Sequence, residues 1–198
     1  YEQNTAVNVG NYTAIAKTLT GTNADNYQLP ENTKQSWKIT KAQNEFVIQP
    51  SMAGWVYGEE ASEPIATAKF GKVTFKYQEV KEGILDWNIF NPKTGAVPKK
   101  AGTYRLIAEV DRDEAGNYDK LESNKTQFTI APAEVTVTAE NQSSAYGQDV
   151  QNLTYSMQVL KGKLTDQEKT DLDISLSTTA TKRSEVGTYP ITVTARQN

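Results

Sequence analysis

Cysteine and histidine are both missing from these 198 residues, and each absence removes a body of chemistry. Without cysteine there are no disulfides, thiolate nucleophiles or Cys-ligated zinc sites, a condition that fits the cytosol and equally a Gram-positive exterior. Without histidine the usual general base, the Ser-His and Cys-His nucleophile pairs and His-bearing metal sites are closed as well. Carboxylate pairs and Ser-Lys chemistry are the common catalytic routes that remain. No apolar run approaches the roughly 18 residues needed to span a bilayer, so no membrane insertion is expected in this segment. The chain opens at Tyr1 with no charged n-region or apolar h-region, which reads as a mature or excised segment. One-sided charge is lacking too: 21 Lys and Arg against 24 Asp and Glu give a net charge of -3 with the signs interspersed. No basic stripe can neutralise phosphates, and nucleic acid is set aside as a partner.

What is present describes a folded protein with thin cores. Hydrophobic residues make up 37% of the chain and charged residues 23%, with a mean hydropathy of -0.63, which is polar for a globular chain yet too apolar for a disordered one. The length allows one large β domain or two small ones.

Internal similarity decides between them. Val9-Gly10-Asn11-Tyr12 recurs as Ala101-Gly102-Thr103-Tyr104 and as Val186-Gly187-Thr188-Tyr189, placing the tyrosines 104 − 12 = 92 and 189 − 104 = 85 positions apart. Val56-Tyr57-Gly58-Glu59 recurs as Ala145-Tyr146-Gly147-Gln148, and Asn26-Tyr27 as Asn117-Tyr118. Trp37 to Ala42 matches Phe128 to Ala133 at the same period. Several markers that share one period and one order define a repeat. Residues 44–133 are then a complete unit, 1–43 the C-terminal part of a preceding one, and 134–198 the N-terminal part of a following one. Such incomplete units are expected to leave apolar strand edges unpaired unless something covers them.

Period-two alternation marks the segments as strands with one buried face. Val135 and Val137 oppose Thr136 and Thr138, Val73, Phe75 and Tyr77 oppose Thr74 and Lys76, Leu153, Tyr155, Met157 and Val159 oppose Thr154, Ser156 and Gln158, and Tyr189, Ile191 and Val193 oppose Thr192 and Thr194. Threonine on the wet face favours the pleat in its own right. The gaps carry turn residues, as in Asn91-Pro92-Lys93-Thr94-Gly95, Glu82-Gly83 and Glu114-Ala115-Gly116-Asn117. Thr165 with Glu168 three residues on is a capping box, which predicts a short helical turn over 166–171 leading into a strand through Leu172, Ile174 and Leu176. Each Gly-x-Tyr is read as a glycine that turns the chain and a tyrosine whose ring is buried while its hydroxyl finds a backbone partner. That arrangement resembles the tyrosine corner of immunoglobulin-like sandwiches. The pattern predicts an all-β chain of tandem immunoglobulin-like β-sandwich modules, with β-grasp-like modules as the alternative.

The Tyr-Gly pairs at 57–58 and 146–147, followed at a distance by Gly-Thr-Tyr and closed by Phe128-Thr129-Ile130-Ala131-Pro132-Ala133, resemble MBG-type domains of the Tyr-Gly-x variety. The stretch Leu164 to Thr192 is especially similar to such repeats. The resemblance implies tandem modules of a large secreted or wall-attached bacterial protein, located outside the cell, whose immediate partners are neighbouring β modules of the same polypeptide. It brings no catalytic residues with it.

Three other features carry candidate chemistry. Asp111 to Asp119 brushes against a calcium loop, but Ala115 takes a ligand position and no bidentate Glu follows, so an acidic hairpin loop is the competing reading. Trp55, beside the Tyr-Gly turn, is the candidate ligand-binding residue, a flat platform for a sugar ring if it is exposed. Trp87 alternates with Leu85 and Ile89 in a core pattern. No convergent carboxylate pair and no particular lysine for an amide crosslink stand out. The expectation is a non-catalytic spacer without cofactor or metal, against an adhesion module that contacts a host or matrix protein or glycan.

Overall fold

The computed structural model describes residues 4–31, 33–80, 93–150 and 152–195. Trp87 with Leu85 and Ile89, and the turns at Glu82-Gly83 and Asn91-Pro92, lie outside these residues. Along the chain run β1 (Gly10–Ile15), β2 (Lys34–Ile39), β3 (Phe46–Ser51), β4 (Trp55–Val56), β5 (Ile65–Ala68), β6 (Thr74–Val80), β7 (Lys93–Thr94) and β8 (Gly102–Val110). They are followed by β9 (Leu121–Glu122), β10 (Thr126–Ala131), β11 (Glu134–Ala139), β12 (Tyr155–Lys161), the helix α1 (Asp166–Asp171), β13 (Ile174–Thr178) and β14 (Ile191–Ala195). Among the described residues the chain is all-β apart from this helix and a short 3-10 turn at Ala24–Asn26. The predicted capping box starts α1: the Glu168 N–H donates to Thr165 Oγ1 at 3.2 Å, and the Thr165 N–H donates back to Glu168 Oε2 at 2.7 Å.

The centre of the molecule is a six-stranded sheet in the order β4-β10-β8-β6-β7, with β9 paired to β8. The β3-β5 pair is a separate sheet, and β3 lies close to β8. Because β8 is flanked by β6 and β10 and also faces β3, it is buried from Leu106 through Val110 on both faces. The core gathers Met52, Tyr77, Tyr104, Leu106, Phe128 and Ile130, with Trp55, Tyr57, Phe75 and Val97 packed against it. Phe128 is its hub. Trp55 and Tyr104 each stack on that ring at 5.6 Å, and Tyr77 meets it edge-on at 6.2 Å.

Glu109 is the charged residue of this interior. Its side chain is 9% exposed and is held by Lys76 at 2.6 Å and Lys120 at 3.4 Å. Burial alone pushes the carboxyl upward, but the two ammonium groups outweigh it and leave the pKa below the ordinary glutamate range.

The strands on either side make smaller sheets. β1 and β2 form an antiparallel pair in which Tyr12 faces Trp37 and Gly10 faces Ile39. β8 and β10 use the same register, with Tyr104 opposite Phe128 and Gly102 opposite Ile130. Toward the C-terminus β11 pairs with β12 and β13 with β14, and β11 lies beside β14 as β3 lies beside β8. Among the described residues every fully buried side chain lies between Pro50 and Ile130, so the closed core belongs to the central strands.

Candidate functional site: the joints between sheet assemblies

The Gly-x-Tyr segments share one geometry. The hydroxyl of Tyr12 donates to the Asn8 carbonyl at 2.7 Å, that of Tyr104 to Lys100 at 2.9 Å and that of Tyr189 to Glu185 at 3.0 Å, each four residues back. Each phenol folds back over the glycine two residues before it, most closely at Gly10, where a Cβ would lie 3.0 Å from the Tyr12 hydroxyl; at Gly102 and Gly187 a Cβ would meet the ring at an ordinary 3.5 and 4.0 Å. The hydroxyl bonds are those the sequence predicts, while the ring is buried at Tyr104 and only half-buried at Tyr12 and Tyr189.

The Tyr-Gly turns behave differently from each other. In both, the N–H of the fourth residue closes a 3.0 Å bond, Glu59 to Val56 and Gln148 to Ala145. In both the glycine sits at positive φ, 80° at Gly58 and 87° at Gly147, the geometry of a type II turn. Around Tyr57-Gly58, however, the turn is occupied. The Lys163 N–H donates to the Tyr57 carbonyl at 3.0 Å, and the Tyr57 hydroxyl donates to Glu168 Oε1 at the start of α1. Both glycines of this contact are packed against backbone: a Cβ on Gly58 would collide with the Lys163 carbonyl, and a Cβ on Gly162 with the Tyr57 carbonyl. The Gly162 position also meets Val56 and Ala133. Around Tyr146-Gly147 no such interlock forms: the Gly147 N–H donates to the Lys182 carbonyl at 2.9 Å, but Tyr146 is 72% exposed and nothing lies within 4 Å of a Cβ on Gly147.

Charge tightens the occupied turn. The Tyr57 hydrogen bond, reinforced by the Thr165 donors, holds the Glu168 carboxyl below its usual range, while the same carboxylate raises the Tyr57 phenol.

A second joint fastens the amino-terminal hairpin. The Ala42 N–H donates to the Asn117 carbonyl at 2.8 Å, and Ala42 forms a parallel bridge with Tyr118. The Asn117 side chain accepts from the Val9 N–H at 2.7 Å and donates to Asn8 Oδ1 at 3.0 Å. Asp113, the acidic residue weighed as a calcium ligand, accepts from both the Asn117 N–H and its Nδ2, at 3.2 and 2.6 Å. Its carboxylate therefore orients the asparagine that clasps the hairpin. Lys41 and Asp119 add an exposed ion pair, of little weight by itself. Among the described residues no cluster of three or more metal-ligating side chains occurs. Tyr118 is half-buried and stacks on Phe70, whereas its sequence counterpart Tyr27 is 72% exposed.

Trp55, the sequence candidate for ligand stacking, is half-buried in β4 with its ring on Phe128. Tyr57-Gly58 and Glu168 stand out in the sequence, but Gly162-Lys163 and the contact between them do not, although a signal is there. Gly71-Lys72-Val73-Thr74 and Gly162-Lys163-Leu164-Thr165 are a further pair at the repeat period, 162 − 71 = 91, and both glycines have φ near 78°.

Comparison with known family models finds a match over the carboxy-terminal third of the chain. Residues 135–198 match the model of the MBG domain (YGX type), the family whose Tyr-Gly motif Tyr146-Gly147 carries. No curated protein and no solved structure gives a significant match.

Proposed function

We propose that this chain, whose residues 135–198 form an MBG domain of the YGX type, is a non-catalytic spacer of a bacterial cell-surface protein. In this reading successive β modules are linked end to end by defined joints rather than by free linkers. The observation that carries the reading is the interlock of Tyr57-Gly58 with Gly162-Lys163 and Glu168, where two bare glycines bring backbone against backbone. Contacts of that kind fix the angle between neighbours, which a stalk requires and a flexible tether does not. The asparagine clasp at Asn117 serves the same end for the amino-terminal hairpin. Adhesion through a Trp55 platform would call for that ring to be exposed, and it is half-buried against Phe128 instead.

Small-angle scattering of the whole chain, combined with glycan-array and matrix-protein screening, tests the proposal. A single extended particle that becomes conformationally broad in Gly58→Ala, and an array without binding, is the expected result. Saturable binding of a glycan that disappears in Trp55→Ala with the fold intact would move the function to adhesion.

A further inference from the structure

We infer that the carboxy-terminal four strands hold a vacant strand slot, between Ser144-Ala145 and the segment Gly187–Ile191, built to receive one closing strand of this repeat type. The central assembly shows the filled version. There β10 lies antiparallel to β8 and parallel to β4, with Phe128 opposite Tyr104, Ile130 opposite both Gly102 and Trp55, and Ala131 opposite Val56. The amino-terminal hairpin repeats the antiparallel half in the same register, with Trp37 opposite Tyr12 and Ile39 opposite Gly10. Tyr189 and Gly187 stand third in this series, with the same four-residue hydroxyl bond, yet among the described residues β14 pairs only with β13.

Three further features mark this edge as open among the described residues. Ser144-Ala145, the counterparts of Trp55-Val56, form no strand. Residues 141–149 are all exposed, where Met52 is buried and Trp55, Val56 and Tyr57 are half-buried in the central assembly. Between the two rims runs a groove of about 750 Å3 lined by Ala145, Tyr146, Val150, Leu153, Tyr189 and Ile191. In the central assembly Phe128 and Ile130 of the closing strand are 4% and 0% exposed.

The occupant is thereby specified: an extended segment with the side-chain pattern of β10, an aromatic residue opposite Tyr189 and an isoleucine opposite Gly187. Its backbone would accept from the Tyr146 N–H as Ala131 accepts from Tyr57 at 2.8 Å. Pro190 stands where Arg105 does and removes at most one ladder donor. This is strand addition to an open edge, with the ladder supplying affinity and the alternate side chains supplying register. The inference rests on the array reading for its choice of partner, but a peptide tests the slot by itself, so its failure leaves the joint experiments standing.

The probe is a labelled synthetic peptide of residues 126–133, TQFTIAPA, titrated into the intact chain and followed by fluorescence polarisation and thermal melting. Saturable binding below millimolar peptide, with a raised melting midpoint, is expected. Replacing the phenylalanine of the peptide with alanine should weaken binding about tenfold or more. Tyr146→Pro in the chain keeps a residue suited to the second turn position but removes the N–H that would donate to the incoming strand, and should weaken it too. No saturable binding, or binding indifferent to both changes, overturns the inference. Concentration-dependent association of the chain alone that Trp37→Ser abolishes would support it, because β2 carries the same closing-strand pattern.

Discussion

Replacing Gly58 with alanine adds one methyl group where two backbones touch, and Gly147 supplies an internal control. Both residues hold positive φ in the same kind of turn, at 80° and 87°, so both substitutions incur the left-handed cost of about 1 kcal/mol. At Gly147 nothing else is met. At Gly58 the new carbon runs into the Lys163 backbone, 2.7 Å from its carbonyl carbon, and no side-chain rotation can relieve a clash with main chain. The joint must open, which sacrifices the 3.0 Å hydrogen bond from Lys163 to Tyr57, worth about 1 kcal/mol, and the Tyr57–Glu168 contact with it. Gly58→Ala should therefore cost at least about 2 kcal/mol, and Gly147→Ala about half of that. Amide hydrogen exchange reads the difference directly. The Lys163 N–H should be protected in the parent and in Gly147→Ala, and should exchange freely in Gly58→Ala, while the Leu106 amide in the central sheet stays protected in all three. Equal losses in the two variants, or a Lys163 amide that remains protected in Gly58→Ala, would refute the interlock.

Other expectations follow from the same geometry. Tyr104→Phe deletes the 2.9 Å bond to Lys100 from a 6% exposed side chain and should cost about 1 kcal/mol in urea unfolding, against a smaller loss for Tyr189→Phe on its exposed bond. Lys76→Met removes the nearer partner of Glu109 and should destabilise by about 2 kcal/mol at neutral pH, short of the full cost of stranding a buried charge because Lys120 remains. The Glu109 pKa lies below its unfolded value, so its contribution is complete above the ordinary glutamate range near pH 4.3 and is lost as pH falls through the lower folded value. Acid titration of stability in this window should flatten in Lys76→Met. Glu168 is depressed in the same direction, so Lys163 protection should fade below about pH 4, and Glu168→Gln should remove that dependence.

What could be read from the sequence follows the range of the interactions. The tyrosine corners span four residues and the capping box three, so the partners are named within one short motif, and alternation fixes which strand face is wet. Trp55 could not be decided this way because its burial depends on Phe128, which lies far along the chain and reaches it through β10. Glu109 looks like any carboxylate in Tyr104 to Val110 until β6 brings Lys76 beside it. The acidic loop at Asp113 offered oxygens, and only the placement of Val9 and Asn8 shows that they serve Asn117. The joint residues were hidden because glycine announces a turn in sequence, whereas Gly58 and Gly162 are also needed for the backbone that crosses them.

Glu168 spends its two oxygens on different neighbours, one on the first turn of its own helix and one on the phenol of Tyr57. Traction that separates the two bodies must pull on the same carboxylate that starts α1. The clasp and the helix start are then mechanically in series, and the first strain of stretching would be registered as fraying at Thr165 before any strand is peeled from its sheet.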